Sequence, residues 1–174
     1  IYIFMIWFYS HRLKKLLFLG NLVASILTIT PFFAIFVYYK NFETGIFVHA
    51  AFLYLMVVMR ELVKDLENMK GDLVQGYRTI PVVYGESLSK KLLFGLTLIS
   101  LIPIYFLITE FEIGELDYFF YAAIGLLAVF LLILFFSRSK WQYLLLHNLL
   151  KFIIVAGIFS ILLIDINSLL NRVL

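Results

Sequence analysis

Residues 46–85 read IFVHAAFLYLMVVMRELVKDLENMKGDLVQGYRTIPVVYG. Up to Met59 no Asp, Glu, Lys or Arg interrupts this stretch, and then Arg60, Glu61, Lys64, Asp65, Glu67, Lys70 and Asp72 arrive within four helical turns. The first part belongs to a run (46–63) long enough to enter a bilayer. Carboxylates beside lipid are expensive and mark ion or substrate sites. The same stretch therefore sets the solvent of the fold and the place to look for chemistry.

Working outward, apolar runs also cover 16–39, 92–111, 118–136 and 141–164. Inside lipid only helices or closed barrels satisfy the backbone, and these runs lack the in/out alternation of barrel strands. The fold expected is an all-α, multi-span transmembrane bundle forming a single domain over residues 1–174. Composition agrees: 64% of residues are hydrophobic, 14% are charged and the mean hydropathy is +1.03, outside the range of soluble domains. Pro31 and Pro103 fall inside two runs, where they can kink a helix without ending it. The chain opens on Ile1 in a short run, IYIFMIWFY, read as the tail of a helix that starts earlier. The expectation is a piece of a longer protein, with about five full helices and the end of one more.

Charge between the runs gives the orientation. Arg12, Lys14, Lys15, Arg60, Lys64, Lys70, Arg78, Lys90, Lys91, Arg138 and Lys140 fall on one side. Lys40, Arg172 and the acidic loop with Glu110, Glu112, Glu115 and Asp117 fall on the other. By the positive-inside rule the basic side, polar island included, faces the cytoplasm. Lys151, well inside the last run, either snorkels or points into the bundle.

The island reads as a continuation of its helix beyond the membrane. Glu61, Asp65, Asn68 and Asp72 are spaced by 4, 3 and 4, so they share one face. Three carboxylates and an amide oxygen converging there make a hard, all-oxygen site suited to Mg²⁺, which takes one or two carboxylates with waters and substrate phosphates. Lys64, Lys70 and Arg78 suit a diphosphate. Gly71, Gly76, Pro81 and Gly85 predict a loop soon after Asp72. The competing reading is a solvated, mixed-charge connection, and spacing alone leaves the two about even. Like charges at Glu61/Asp65 and Arg60/Lys64 tip the balance towards function, because a structural helix more often alternates signs.

Other residue types point to less. His49 and His147 stand one per helix, which fits hydrogen-bonded or interfacial histidines better than haem ligands. The 19 Phe and 11 Tyr read as packing and interfacial belts. The absence of cysteine excludes disulfides, thiolate metal sites and a Cys nucleophile. Topology accounts for the basic loops, so no nucleic-acid partner is expected.

KDLENMKGD (64–72) followed by GYRTIPVVYG (76–85) resembles the second aspartate-rich motif and following loop of the UbiA superfamily of intramembrane prenyltransferases. YSHRLKKLLFLGN (9–21) is similar to that family's Tyr-Ser-x-x-Leu-Lys segment and the Gly-Asn opening its next helix. The resemblance implies a bundle of nine membrane helices, here represented by the end of the fourth and by helices five to nine. It also implies transfer of a prenyl group from an isoprenyl diphosphate to a lipid or aromatic acceptor, with Mg²⁺ between two aspartate-rich motifs. Carried over by position, Asp72 matches the last Asp of the second motif, while Asn68 stands where the family has its first Asp. Asp65, one turn earlier on the same face, is the substitute ligand, with Glu67 as a further aid. Tyr9 and Ser10 match positions lining the cavity near the diphosphate, Lys14 a basic residue there, and Arg78 a loop position suited to the departing diphosphate. Lys64 joins them as a phosphate contact. The Arg60-Glu61-x-x-Lys64-Asp65 lead-in looks most like the branch that alkylates glyceryl-phosphate lipids.

No Asn in the chain is followed by Asp, so the family's first motif has no match. The expectation is that this piece alone is inactive and that the intact protein is the enzyme. The rival reading is a non-catalytic membrane subunit, or half of a transporter, binding an anionic lipid through the basic face. A third is a degenerate remnant without activity.

Overall fold

A computed structural model describes residues 2–11, 19–38, 44–111 and 116–160. Every regular element among them is a helix: α1 (Tyr2–His11), α2 (Leu19–Tyr38), α3 (Thr44–Val74), α4 (Ile80–Thr109), α5 (Leu116–Phe136) and α6 (Lys140–Ser160). Helices α3 to α6 are long and apolar enough to cross a membrane. Helix α2 has 20 residues, with a shorter apolar segment, Gly20–Pro31, among the described residues. The short opening run is helical too. Both α2 and α4 continue through Pro31 and Pro103.

Helix α3 sets the geometry of everything else. Its 31 residues rise about 46 Å at ~1.5 Å each, well beyond the ~30 Å of hydrocarbon. The charged island is thus the protruding end of a membrane helix. That end stops abruptly: Gly76 adopts φ 70, its N–H donates to the Leu73 carbonyl, and Tyr77 N–H donates to the Asp72 carbonyl. This is the Schellman arrangement, which needs a left-handed residue and favours glycine there.

The loop that follows is shorter than the sequence implies. A helix expected from residue 92 starts at Ile80, because Pro81 sits in its first turn, where a missing N–H is no loss. Gly85, with φ 83 and ψ 170, then breaks the helix, so α4 is a short opening turn and a long main segment.

Helix α3 packs against α4, α6 and α2. Its buried face carries Phe52, Met56, Met59, Leu62, Val63 and Leu66, which meet Phe120 and Phe130 of α5 and Leu146, Leu150 and Ile153 of α6. In lipid such packing is held by close contact rather than by expulsion of water. Phe52, Phe119 and Phe120 meet edge to face, and Gly157 on α6 allows Phe119 and Leu53 to come near its backbone. The outer faces of α4 to α6 expose residues such as Phe94, Ile102, Leu132 and Phe152, as lipid-facing helices do. Lys151 belongs to that exposed face and does not enter the packed interior.

One end of the bundle collects the polar connections. The Lys90 ammonium bonds the Ser137 carbonyl and pairs with Glu86 at 2.8 Å, while the Tyr143 hydroxyl donates to Glu86 at 2.6 Å. These contacts tie the start of α4 to the α5–α6 turn with Arg138 and Lys140. The start of α2 joins the same end through Asn21 and Asp65. Among the described residues, the basic groups that share a side in the sequence reading therefore share an end in space, and Arg12, Lys14 and Lys15 lie outside those residues.

Candidate active site

The protruding part of α3 presents its polar side chains in three directions. Towards α2, Asp65 Oδ2 accepts a hydrogen bond of 2.8 Å from Asn21 Nδ2. Towards α6, Glu67 Oε2 lies 3.1 Å from His147 Nδ1. Between those two flanks stand Arg60, Glu61, Lys64, Asn68 and Asp72.

Within this central group, Glu61 is buried and held by two cations. Arg60 Nη1 lies 3.0 Å from its Oε1, and Lys64 Nζ lies 2.7 Å from its Oε2. Asn68 is exposed, and its Nδ2 donates 3.1 Å back to the Lys64 carbonyl. Asp72 is half-buried in the last turn and lies within electrostatic range of Asp65.

The sequence-predicted residues sort accordingly. Asp65, Asn68 and Asp72 share the expected face. Glu61 does not join them in a set of ligands, since both its oxygens serve Arg60 and Lys64. Among the described residues no three acidic or histidine side chains stand close enough to hold a metal. The convergence of three carboxylates is therefore corrected to Asp65 and Asp72 with the Asn68 amide. Such a donor set still fits Mg²⁺, which needs only one or two protein carboxylates when waters and phosphate oxygens complete its shell. Glu67, expected as an aid, is committed to His147 on the other flank. That contact also makes His147 the hydrogen-bonded histidine expected, while His49 is buried edge-on to Phe52 and Phe120.

Tyr9 arrives from α1. It is half-buried and near enough to Glu61 and Asp65 for both carboxylates to act on its phenol. Ser10 follows it on the same helix. Lys14 lies outside the described residues. Lys64 is at the centre of the site and 45% exposed, and Arg78 is exposed in the connection between α3 and α4.

Below the polar end, on the same face of α3, an apolar groove of about 640 Å³ runs between α2 and α3. Ile26, Ile29, Thr30 and Phe33 line one wall, and Phe47, Ala50, Ala51 and Tyr54 line the other. Tyr54 precedes Glu61 by seven residues, two turns, so the groove opens about 10 Å below the charged cluster. The arrangement suits a molecule with an anionic head and a long hydrocarbon tail.

Two features escaped the sequence reading. Asn21 was visible only as the Asn of a Gly-Asn pair, and nothing local announces its bond to a residue 44 positions on. Arg60 enters the sequence reading as a topological charge and as part of the lead-in to Asp65, neither of which shows that its Nε is buried without a hydrogen-bond partner.

The profile of the UbiA prenyltransferase family matches residues 1–147. The chain is 30% identical over 118 residues to digeranylgeranylglyceryl phosphate synthase of Methanobrevibacter smithii, covering 64% of this chain and 41% of the relative. It is 37% identical over 105 residues to the protein of the same name from Thermococcus sibiricus, covering 58% and 37%. A third of that name, from Thermococcus gammatolerans, is 38% identical over 79 residues, covering 45% and 28%. The matched stretch thus spans about two fifths of the curated relatives at most. No solved structure matches. An all-helical membrane bundle and a profile match over most of the chain agree: this chain belongs to the UbiA prenyltransferase family.

Proposed function

We propose that the intact protein transfers a prenyl group from an isoprenyl diphosphate to a lipid acceptor, a glyceryl phosphate in preference to an aromatic one. The observation that carries this reading is the continuity of the α3 face, with an apolar groove leading up to Asp65, Asn68 and Asp72. Family membership and the names of the relatives support the reaction class and the choice of acceptor. The site lies at the basic end of the bundle, which the positive-inside rule assigns to the cytoplasm. Membrane lipids surround the exposed faces.

In this reading the groove holds the prenyl tail and keeps water from the allylic carbon. Lys64, Arg78 and Lys14 carry the negative charge of the diphosphate, bound and departing. Asp65, Asn68 and Asp72 are the residues that would hold Mg²⁺. When bound, the ion supplies charge neutralisation that makes diphosphate a leaving group. The C–O bond breaks with its electron pair going to the diphosphate, the acceptor oxygen forms the new bond to carbon, and its proton is released. Tyr9 faces the developing positive charge with an electron-rich ring.

Asp72→Ala in the intact protein tests the reading. Mg²⁺-dependent transfer from geranylgeranyl diphosphate should fall by roughly a hundredfold or more, the scale of losing a principal electrostatic group. Unchanged turnover would remove Asp72 from the site. An anionic-lipid-binding subunit would instead tolerate Asp72→Ala and fail on charge reversal at Arg78.

A further inference from the structure

The Arg60 guanidinium is only partly used within the protein. Its Nη1 meets Glu61 at 3.0 Å, whereas its Nε is buried and meets no hydrogen-bond partner. A cationic N–H withdrawn from water without an acceptor costs free energy. A turn of this partly exposed side chain that brings Nε to a ligand oxygen would remove the cost. Lys64 Nζ holds the other oxygen of Glu61 at 2.7 Å, so two cations share one carboxylate and the cluster is net positive.

The level and direction of Arg60 narrow the choice of ligand. It is the first charged residue after Glu43, so it stands where α3 leaves the hydrocarbon and lipid headgroups begin. Around the helix it lies about 140° from Asp65, which is turned to α2. It lies about 20° from Glu67, which is turned to α6. Arg60 therefore borders the central face on the flank opposite Asp65. A diphosphate held near Asp65 and Asp72 would not be centred there.

We propose that Arg60, with Lys64 beside it, seats the phosphate monoester of a lipid acceptor. This deepens the prenyl-transfer reading of the same site and rests on it. A phosphate monoester carries about −1.5 to −2 charge near neutral pH and offers three acceptor oxygens, which suits a guanidinium fork backed by an ammonium. Glu61 holds the fork by Nη1, and the guanidinium side chain keeps 26% of its surface exposed for a ligand to approach. Recognition of the acceptor phosphate then centres on Arg60, with Lys64 standing between it and the donor's diphosphate.

The test uses the intact protein in detergent, with fluorescent phosphatidic acid as the phosphate-monoester probe. Phosphatidylcholine serves as the phosphodiester control and geranylgeranyl diphosphate as the donor. Arg60→Gln should weaken phosphatidic acid roughly tenfold or more, the scale of one charged hydrogen bond, and leave geranylgeranyl diphosphate and phosphatidylcholine within about twofold. Arg60→Lys, which keeps the charge but lacks Nε, should recover only part of the loss. Where Arg60→Gln fails to fold because Glu61 loses a counterion, Arg60→Gln with Glu61→Gln removes both charges and is read in the same way. Undiminished phosphatidic acid binding, or a parallel loss of the diphosphate, overturns the proposal. Absence of prenyl transfer by the wild-type protein would overturn the reaction and leave the phosphatidic acid comparison readable.

Discussion

Asn21 Nδ2 donates to Asp65 Oδ2 at 2.8 Å, joining the start of α2 to the exposed end of α3 across 44 residues. The bond fixes one carboxylate oxygen and so limits the rotamers of Asp65. It also brings α2, one wall of the apolar groove, into register with the acidic face. Head and tail of the proposed donor site are thereby set by a single contact.

Removing that contact should be visible in two ways. Asn21→Ala deletes a hydrogen bond to a charged group, a loss of about 1.5–3 kcal/mol where burial is complete and less at this partly buried position. Thermal unfolding in detergent checks that part. If Asn21 positions a metal ligand, the Mg²⁺ concentration for half-maximal activity should rise several-fold as well. A fall in stability with an unchanged Mg²⁺ dependence would make the tie purely architectural.

Helix packing offers a test independent of chemistry. A Cβ at Gly157 would stand 3.0 Å from Phe119 Cζ and 3.2 Å from Leu53 Cδ2, inside normal contact. Gly157→Ala should therefore wedge α6 away from α3 and α5, at about 1–3 kcal/mol for overpacking. Gly125, on α5, meets nothing within 4 Å. There Ala should be neutral or stabilising by about 0.5–1 kcal/mol, because it removes the backbone freedom of glycine in a helix. Unfolding of the two variants side by side separates the effects, and equal stability would mean that α6 does not pack closely at Gly157.

The contrast between what could and could not be read from sequence has a physical origin. Lipid permits few backbone solutions, so an uncharged stretch such as 44–59 leads to a helix, and the 4-3-4 spacing of Glu61, Asp65, Asn68 and Asp72 puts them on one face. Direction around that face depends on neighbours. The spacing put Glu61 with the ligands, but Arg60 and Lys64 claim its oxygens. Glu67 looked equivalent to Asp65 until His147, 80 residues away, took it to α6. Pro81 and Gly85 were read as loop residues because proline and glycine mark both loops and helix first turns or breaks, and only the backbone at Gly85 separates these uses. Family resemblance assigns Tyr9 and Asp72 by position and has no means of finding Asn21 as the partner of Asp65.

On the resemblance, Asn68 stands where the family is expected to carry an aspartate, and that reading makes a directional prediction. Its Nδ2 donates to the Lys64 carbonyl, so the amide oxygen is the atom left to serve a cation. Asn68→Asp would place a third negative charge between Asp65 and Asp72, spaced 3 and 4 along the helix. Without a cation, each like-charge pair at this spacing costs about 0.2–0.5 kcal/mol, so the metal-free variant should melt lower than the wild type. With Mg²⁺ the sign reverses, because an added carboxylate strengthens a hard-ion site and binding to the folded state raises its stability. The Mg²⁺-induced rise in melting temperature should therefore be larger in Asn68→Asp than in the wild type, and scanning fluorimetry across a Mg²⁺ titration measures it without any turnover. An identical rise in both proteins would place the bound cation away from position 68, leaving Asp65 and Asp72 to account for the site without it.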